Sequence, residues 1–588
     1  MWLLAINTGH NGATALYKDS ELIFYIEEDR LSGWKYDGNP YLGMEKAFEY
    51  TDHIDFLILC GTRNAFGKMP WTGEDPYTCY VRKKQGNKKL KVKYSGTTVQ
   101  EIRQEMTTIQ LGDDHHLTHA CTAFYNSGFD NAVAIVVDGA GSGINVPDLE
   151  YLKNETWEVE SIWTIDYPAE VSCKLINYGT NLVDSFNSTL PDGAMIEMSD
   201  GHGITKSYEA VTQYLGFHAI EAGKTMGIAS YGKPNDAIKI DDGHGFNNRS
   251  FIKPKFPAGS LIRSDLHLEL KEHDGDTSWH TDPDNIDDYR KDLAYAVQKS
   301  AERRVANLIR RAIEITGRKQ VVMAGGFILN CVANYEFLKE FPDVEFYHEP
   351  VAHDGGNVMG ACQFVYRKVS GDEVKAPLTS LYLGPDHSNE YATTDFSGFE
   401  VTDVTAADVA KIIADENIVC LYQGRSEAGP RALGNRSILF DPTVKNGKDL
   451  VNEVKHREWF RPFAGSVMAE HATEWFDFRS RKDSPFMMYA VNVLEDKKDM
   501  IPAITHVDGT CRIQTVTSEQ NPHYYELISE FNKIKGVPML FNTSFNLAGD
   551  PLVETVKSAL DTLLKSEMKY LWLPEIGKLL TKGDFKEV

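Results

Sequence analysis

His115-His116-Leu117-Thr118-His119 carries the strongest local chemical signal in this sequence of 588 residues. On a helix, positions 115 and 119 lie one turn apart and project from the same face, a spacing at which two imidazoles can share a metal ion. His116 points roughly 100° away and need not share that work. Two carboxylates join the pair: Asp138, after the apolar run Ala132–Val137, and Asp354, in His353-Asp354-Gly355-Gly356-Asn357. A histidine pair alone is common in purely structural helices, so the metal reading rests on all four residues. Two histidines with two aspartates favour a first-row transition ion, iron first and then zinc or manganese, over magnesium. Open positions on such an ion would hold phosphate oxygens and neutralise their charge.

A second kind of chemistry is written in arginine. The passage Gln423–Ser437 contains Arg425, Arg431 and Arg436 among glycines and a proline, and cations continue at Lys455, Arg457 and Arg461. The chain holds 61 Lys+Arg against 85 Asp+Glu, a formal charge of −24. In so acidic a protein, guanidinium forks held by rigid turns suit bidentate capture of phosphate or carboxylate. The plainer alternative is a set of surface ion pairs. Arg512 and the stretch Asn542-Thr543-Ser544-Phe545-Asn546 flank short apolar runs and look like further site loops.

These residues need elements to hold them. Trp2–Leu4, Ala13–Tyr17 and Glu21–Ile26 read as strands broken by glycine turns. A helix is expected from about residue 115, capped by Asp113 or Asp114. Ala132–Val137 and Gln320–Ala324 read as buried strands, and Tyr295–Thr316 has helical spacing. Residues 368–388 look like a connection between domains. Helix and strand then alternate again, through Ala406–Ala414, Ile418–Tyr422, Tyr524–Ile534 and Pro538–Phe541. No sequence repeat is visible. Both halves read as α/β. Glycine turns at Asn7–Gly12, Asp138–Gly143 and Ala324–Gly326 each end a strand, where exposed backbone N–H groups can form an anion nest.

Composition removes several classes. With 42% apolar and 25% charged residues the chain is neither disordered nor fibrous. No apolar run approaches the roughly 18 to 20 residues of a membrane span. The amino terminus lacks the basic region and cleavage site of a secretory signal, and eight scattered cysteines without a C-x-x-C argue against a disulfide scaffold. A soluble cytoplasmic protein is expected. The acidic balance opposes non-specific nucleic-acid binding, but residues 82–93 hold Arg82, Lys83, Lys84, Lys88, Lys89, Lys91 and Lys93, which read as a solvated loop or a polyanion contact.

The motifs Asn7–Ala13, His115–His119, Asp138–Gly143, Glu221-Ala-Gly-Lys-Thr-Met-Gly227 and Gly429-Pro-Arg-Ala-Leu-Gly-Asn-Arg436 resemble those of the O-carbamoyltransferases of nodulation-factor and antibiotic tailoring. The resemblance runs from residue 3 to about residue 570. It implies two domains. Residues 1–378 would form an actin/sugar-kinase/heat-shock-ATPase-like domain, similar to the threonylcarbamoyl transferase of tRNA modification, and residues 379–588 a YrdC-like α/β domain. It further implies that carbamoyl phosphate and ATP, with magnesium, give carbamoyl adenylate in the second domain, and that an acceptor hydroxyl takes the carbamoyl group in the first. Arg431, Lys455, Arg461, Arg512 and Ser544 would bind carbamoyl phosphate. Gly9, Asn11, Gly139, Gly141, Gly325, Gly326 and Asn330 would cradle the nucleotide, next to the metal on His115, His119, Asp138 and Asp354. His10 would be the general base, suited to that task near pH 7, and Lys35 would orient the carbamoyl or phosphate group. One departure is Ala428, where the family pattern suggests a bulkier residue.

The acceptor stays open between a small hydroxylated metabolite, such as a glycoside or natural product, and the hydroxymethyl group of 5-hydroxymethylcytosine in DNA, which phage-type relatives modify. Residues 82–93 could follow a backbone there, while Trp34, Tyr36, Trp71, Tyr77 and Tyr80 could stack a displaced base. A kinase of the actin/sugar-kinase superfamily is the alternative function, although it needs neither the histidine pair nor a second domain. Oligomeric state is not legible.

Overall fold

The computed structural model describes residues 1–9, 11–51, 53–61, 107–182, 185–241, 252–257, 259–264, 267–273 and 286–583. His10, the basic stretch 82–93 and Trp71, Tyr77 and Tyr80 lie outside the described residues. Among those described, no helix is long and apolar enough to cross a membrane.

The first half is built on two sheets. In one, β1 (Trp2–Asn7), β2 (Ala13–Lys18) and β3 (Glu21–Glu27) form an antiparallel meander, and β4 (Phe56–Cys60) and β5 (Thr107–Gln110) extend it in parallel, giving the order β3-β2-β1-β4-β5. The second holds β6 (Asn131–Val137), β7 (Thr156–Asp166), β8 (Glu170–Thr180), β9 (Phe186–Thr189) and β10 (Met195–Ser199). A separate three-stranded sheet, β11 (Ile252–Pro254), β12 (Ser260–Ser264) and β13 (His267–His273), precedes β14 (Gln320–Ala324) and β15 (Glu345–His348) of that second sheet. Strands β6, β7 and β8 again form an antiparallel meander, and β14 and β15 again extend it in parallel. The order β8-β7-β6-β14-β15 therefore repeats that of the first sheet. A duplication absent from the residues is present in the topology, as expected of an actin/sugar-kinase-like domain built from two related subdomains.

Both parallel centres are nearly continuous apolar runs, which suits strands covered on both faces. The β6 residues Ala132–Val137 are fully buried. The helix Asp288–Thr316 packs on this sheet, and its amino terminus is capped by Asp287, which accepts from Arg290 N–H. On the other face lies the helix His115–Ser127, crossed by Asn357–Ser370. That crossing is tight. A Cβ on Gly360 would stand 2.2 Å from the Thr122 nitrogen, and the Gly360 N–H instead donates to Thr122 Oγ1. Asp114 occupies the N-cap position of the histidine helix, but its carboxylate makes no capping bond. Asp113 instead pairs with Lys153.

The second half is a ten-stranded mixed sheet with helices, so the chain is α/β in both parts. Its strands are β16 (Phe399–Asp403), β17 (Val419–Tyr422), β18 (Arg436–Phe440), β19 (Ala464–Met468), β20 (Phe476–Asp477), β21 (Ala490–Val493), β22 (Thr510–Val516), β23 (Met539–Ser544), β24 (Tyr570–Leu573) and β25 (Lys578–Lys582). Their order is β16-β25-β24-β17-β18-β23-β19-β22-β21-β20. After Ser370 the chain has no helix or strand until the short turn Ser388–Ala392, and along the way Leu383 accepts from Tyr25 N–H of β3.

Candidate functional site

Four site segments of the first half leave the carboxyl ends of parallel strands: the turn after β1, the loops after β6 and β14, and the turn that follows β15. This is where open parallel sheets place ligands. His115, His119, Asp138 and Asp354 meet there, with one ligand-type atom from each lying within 4.8 Å of all the others. The two Nε2 atoms stand 3.2 Å apart; His115 Nε2 is 3.2 Å from Asp138 and 3.6 Å from Asp354, and His119 Nε2 is 3.5 Å from Asp354. The other oxygen of Asp138 accepts from Gly326 N–H at 3.0 Å, which fixes the carboxylate's rotation. Gly325 must be glycine, because at φ +90° a Cβ would press within 2.3 Å of the Val137 carbonyl.

The electrostatics of this cage favour a cation. Burial alone would lower the His115 imidazole, but Asp354 and Asp138 outweigh it and hold it up at about 10. Burial and Asp354 push the Asp138 carboxyl up, while His115 and His119 hold it below the usual carboxylate range. Two carboxylates and two ring nitrogens converging in a buried space fit a divalent ion of the borderline class. Both histidines present Nε2 inward, the usual ligating nitrogen.

The glycine loops divide. Gly9 has φ +140°, and its carbonyl lies 2.1 Å from where a Cβ on Gly38 would stand, while a Cβ on Gly12 would stand 2.5 Å from the Asp37 carbonyl. The first turn is thus hooked to the loop that carries Lys35. The Asn11 carbonyl accepts from Asn7. Gly139 leaves room for Glu209 and Gly141 for Glu158. The loop after β6 is not the open nest expected of it: Gly141 N–H donates to the Glu158 carbonyl and Ser142 N–H to its carboxylate, because the loop folds back on β7. Asn330 also departs from its expected role, since its amide caps the helix Cys331–Glu340 and bonds Gln298.

The second site is an arginine cluster with Arg431, Arg457 and Arg461 on loops of the second half and Arg512 on β22, where the sequence suggested a loop; Asn542–Ser544 likewise end β23 rather than forming a loop. Burial, Arg512 and Arg461 bring the Arg431 guanidinium down to about 9, and burial, Arg461 and Arg512 do the same to Arg457. Arg431 Nε and Arg512 Nε are buried with no hydrogen-bond partner. One carboxylate, Glu458, stands 3.6 Å from Arg461, but it pairs more closely with Lys224 at 2.6 Å, which also holds Glu221 at 2.9 Å. The motif Glu221–Gly227 of the first half therefore reaches into this site. Arg431 donates to the Leu329 carbonyl. A cleft lined by Gly227, Cys331, Pro462, Phe463, His506 and Arg512 runs along the same seam. Lys35, exposed, lies within electrostatic reach of Glu221, Arg461, Lys224 and Arg457.

Lys455 differs from its expected role. It is buried, and its ammonium donates to the Ser544 carbonyl, the Asn546 carbonyl and Asn546 Oδ1. An ammonium has three donors, so in this structure Lys455 shapes the Ser544–Asn546 loop and none of its donors is left for a ligand. The Ser544 hydroxyl donates to Asn546. Arg457 was not among the expected binding residues. Its place in the Lys455–Arg461 run was the available signal, but its nearness to Arg461 and Arg512 is what brings it into the cluster.

The model described as Carbamoyltransferase N-terminus matches residues 3–363, and that described as Carbamoyltransferase C-terminus matches residues 410–579. Nodulation protein NolNO of Sinorhizobium fredii is 31% identical over 97% of this chain and 79% of its own length. Nodulation protein NolO of Bradyrhizobium diazoefficiens is 30% identical over 77% of this chain and 76% of its own. Among solved structures, full-length HypF in its phosphate- and nucleotide-bound form overlaps 63% of this chain and 47% of its own, at 11% identity and a TM-score of 0.34. That overlap is too loose to carry more than the similarity itself.

Proposed function

The chain belongs to the carbamoyltransferase family, and from that premise we propose that it activates carbamoyl phosphate with ATP and transfers the carbamoyl group to an acceptor hydroxyl. The observation that carries this reading is the pairing of two sites with opposite unmet charge: a carboxylate-rich cage in one half and a cluster of mutually repelling guanidiniums in the other.

Arg431, Arg457, Arg461 and Arg512 receive the phosphates of both donors. Water cleaves carbamoyl phosphate to carbamate and phosphate. A carbamate oxygen then attacks the α-phosphorus of ATP, and pyrophosphate leaves with the electron pair of the broken P–O bond. Carbamate is a poor electrophile, and adenylation gives its carbon a leaving group. The guanidiniums stabilise charge on the transferring phosphates. Lys455 holds the Ser544 loop in place beneath them.

At the first site His115, His119, Asp138 and Asp354 hold a divalent transition ion, iron, zinc or manganese. When bound, the ion supplies Lewis acidity and charge neutralisation for phosphate oxygens. The acceptor oxygen attacks the carbamoyl carbon, the bond to AMP breaks, and the proton goes to a base assigned from the sequence to His10. Gly326 keeps Asp138 aimed, and Lys35 orients the phosphate from the seam between the halves.

The test is carbamoyl phosphate-dependent exchange of labelled pyrophosphate into ATP, followed by mass spectrometry of candidate acceptors for a carbamoyl gain. Glycosides and hydroxymethylated DNA are the two acceptor classes to compare. Phosphorylation of the acceptor with release of ADP, and no pyrophosphate exchange, would favour a kinase instead.

A further inference from the structure

Between the two sites lies a buried ionic network that neither step uses. Its centre is Glu27, the last residue of β3. Glu27 Oε1 accepts from the Tyr25 hydroxyl at 3.2 Å and from Gly429 N–H at 3.1 Å, and lies 3.2 Å from His353 Nε2. Glu27 Oε2 accepts from Arg30 at 3.4 Å. Arg30 in turn donates to the Glu427 carbonyl at 2.9 Å and the Gly429 carbonyl at 2.6 Å. The side chains of Glu27, Arg30 and His353 are 9%, 5% and 10% exposed, so this is interior chemistry.

Each end of the network stops one or two residues short of a site. On one side, His353 Nδ1 accepts from Gly355 N–H at 3.1 Å. A ring that accepts at Nδ1 presents Nε2–H outward, here to Glu27. His353 is thereby fixed at both nitrogens, and the next residue is the cage aspartate, Asp354. On the other side, Gly429 sits at φ +82°, directly before Pro430 and Arg431. The Glu427 carboxylate closes this turn by accepting from the N–H groups of Leu433 and Asn435, both at 2.8 Å, and of Arg436 at 3.1 Å.

A buried ion network is a poor source of stability, since apolar side chains of the same volume often hold a fold as well or better. What a carboxylate offers here is direction: four donors from three separate segments must meet two oxygens. We propose that Glu27 is a positioning residue that sets both sites at once, holding Asp354 through His353 and Arg431 through Gly429 and Arg30. This rests on the two-site reading of the function, and it assigns to the seam a residue that touches no substrate.

The experiment uses the full chain and two binding measurements that need no turnover. Zinc affinity is read by competition with a chromophoric chelator, and inorganic pyrophosphate affinity by titration calorimetry. Glu27→Gln keeps the volume but turns an amide donor toward a neighbouring donor. It is expected to weaken zinc about 10-fold, the scale of lost support behind metal ligands, and to weaken pyrophosphate several-fold. Arg30→Lys removes the fork on the 427–429 carbonyls and should weaken pyrophosphate alone, while His353→Asn should weaken zinc alone. Native affinity at both sites in folded Glu27→Gln protein, or a loss confined to one site, overturns the proposal. A lowered melting temperature with unchanged affinities does the same, because it shows a merely structural residue. Failure of pyrophosphate exchange in the unmodified protein would count against the proposed function and leave these two affinities to be judged separately.

Discussion

The histidine–aspartate cage and the arginine cluster are opposite solutions to the same electrostatic problem. In the cage, two carboxylates and two imidazoles are drawn onto a single point by rigid elements: one helix, one strand end and one glycine turn. In the cluster, guanidiniums are spread over three loop positions and one strand, burial and their neighbours lower the proton affinity of Arg431, Arg457 and Arg461, and Glu458 is turned largely toward Lys224. Each arrangement is costly without a counter-charge, and the counter-charges they call for have opposite sign. The protein therefore separates the carboxylate-rich cage from the guanidinium cluster in space while placing the arginines against the half that carries the cage.

The sharpest way to break this comparison is to remove one site and ask whether the other still works. Asp138→Asn should lower carbamoyl transfer by about 1,000-fold, the scale of lost charge stabilisation in a transition state, with pyrophosphate exchange near normal. Stripping the protein with a chelator should give the same split. If exchange falls equally, the sites are not separate. Arg512→Ala should do the reverse, lowering exchange by about 100-fold, in the range for truncating one group of a desolvated charge contact, with zinc affinity unchanged.

A finer test uses the charge itself. Saturating inorganic pyrophosphate should raise the melting temperature by about 5 °C through binding to the native state alone, and Arg512→Ala should lose most of that rise. A separate expected effect lies away from both sites. Burial lowers the His387 imidazole, but hydrogen bonds to Glu390 and Glu554 outweigh it and hold the ring at about 9. Its folded value is raised, so the stabilisation is full below pH 6.5 and is lost as pH rises through about 9, by up to about 3 kcal/mol. Denaturant melts across that window should be flatter for His387→Gln, and equal slopes would remove the effect.

How much of this was legible in the sequence depended on how local the cause was. His115 and His119 could be paired because helical spacing is a property of five residues, and Asp138 and Asp354 because each stands beside a strand end or glycine turn. The alternation of strands and helices was readable for the same reason. The fate of Lys455 was not, since its acceptors lie about ninety residues away in Ser544 and Asn546. Gly141 looked like part of an anion nest until β7 supplied the partner for its N–H. Glu27 gave no sign, because His353 and Gly429 reach it from 326 and 402 residues along the chain. The doubled sheet was hidden because strand order can recur where residue order does not.

The hydrogen atom that serves as the side chain of Gly360 has a consequence well beyond its own surroundings. It lets two helices touch backbone to backbone, and the first of those helices carries both imidazoles while the second begins just after Asp354. The bite of the cage is therefore gauged by an interhelical gap on its outer side, much as the jaws of a calliper are set from the handle. A single methyl group there would widen the jaws without altering any ligand.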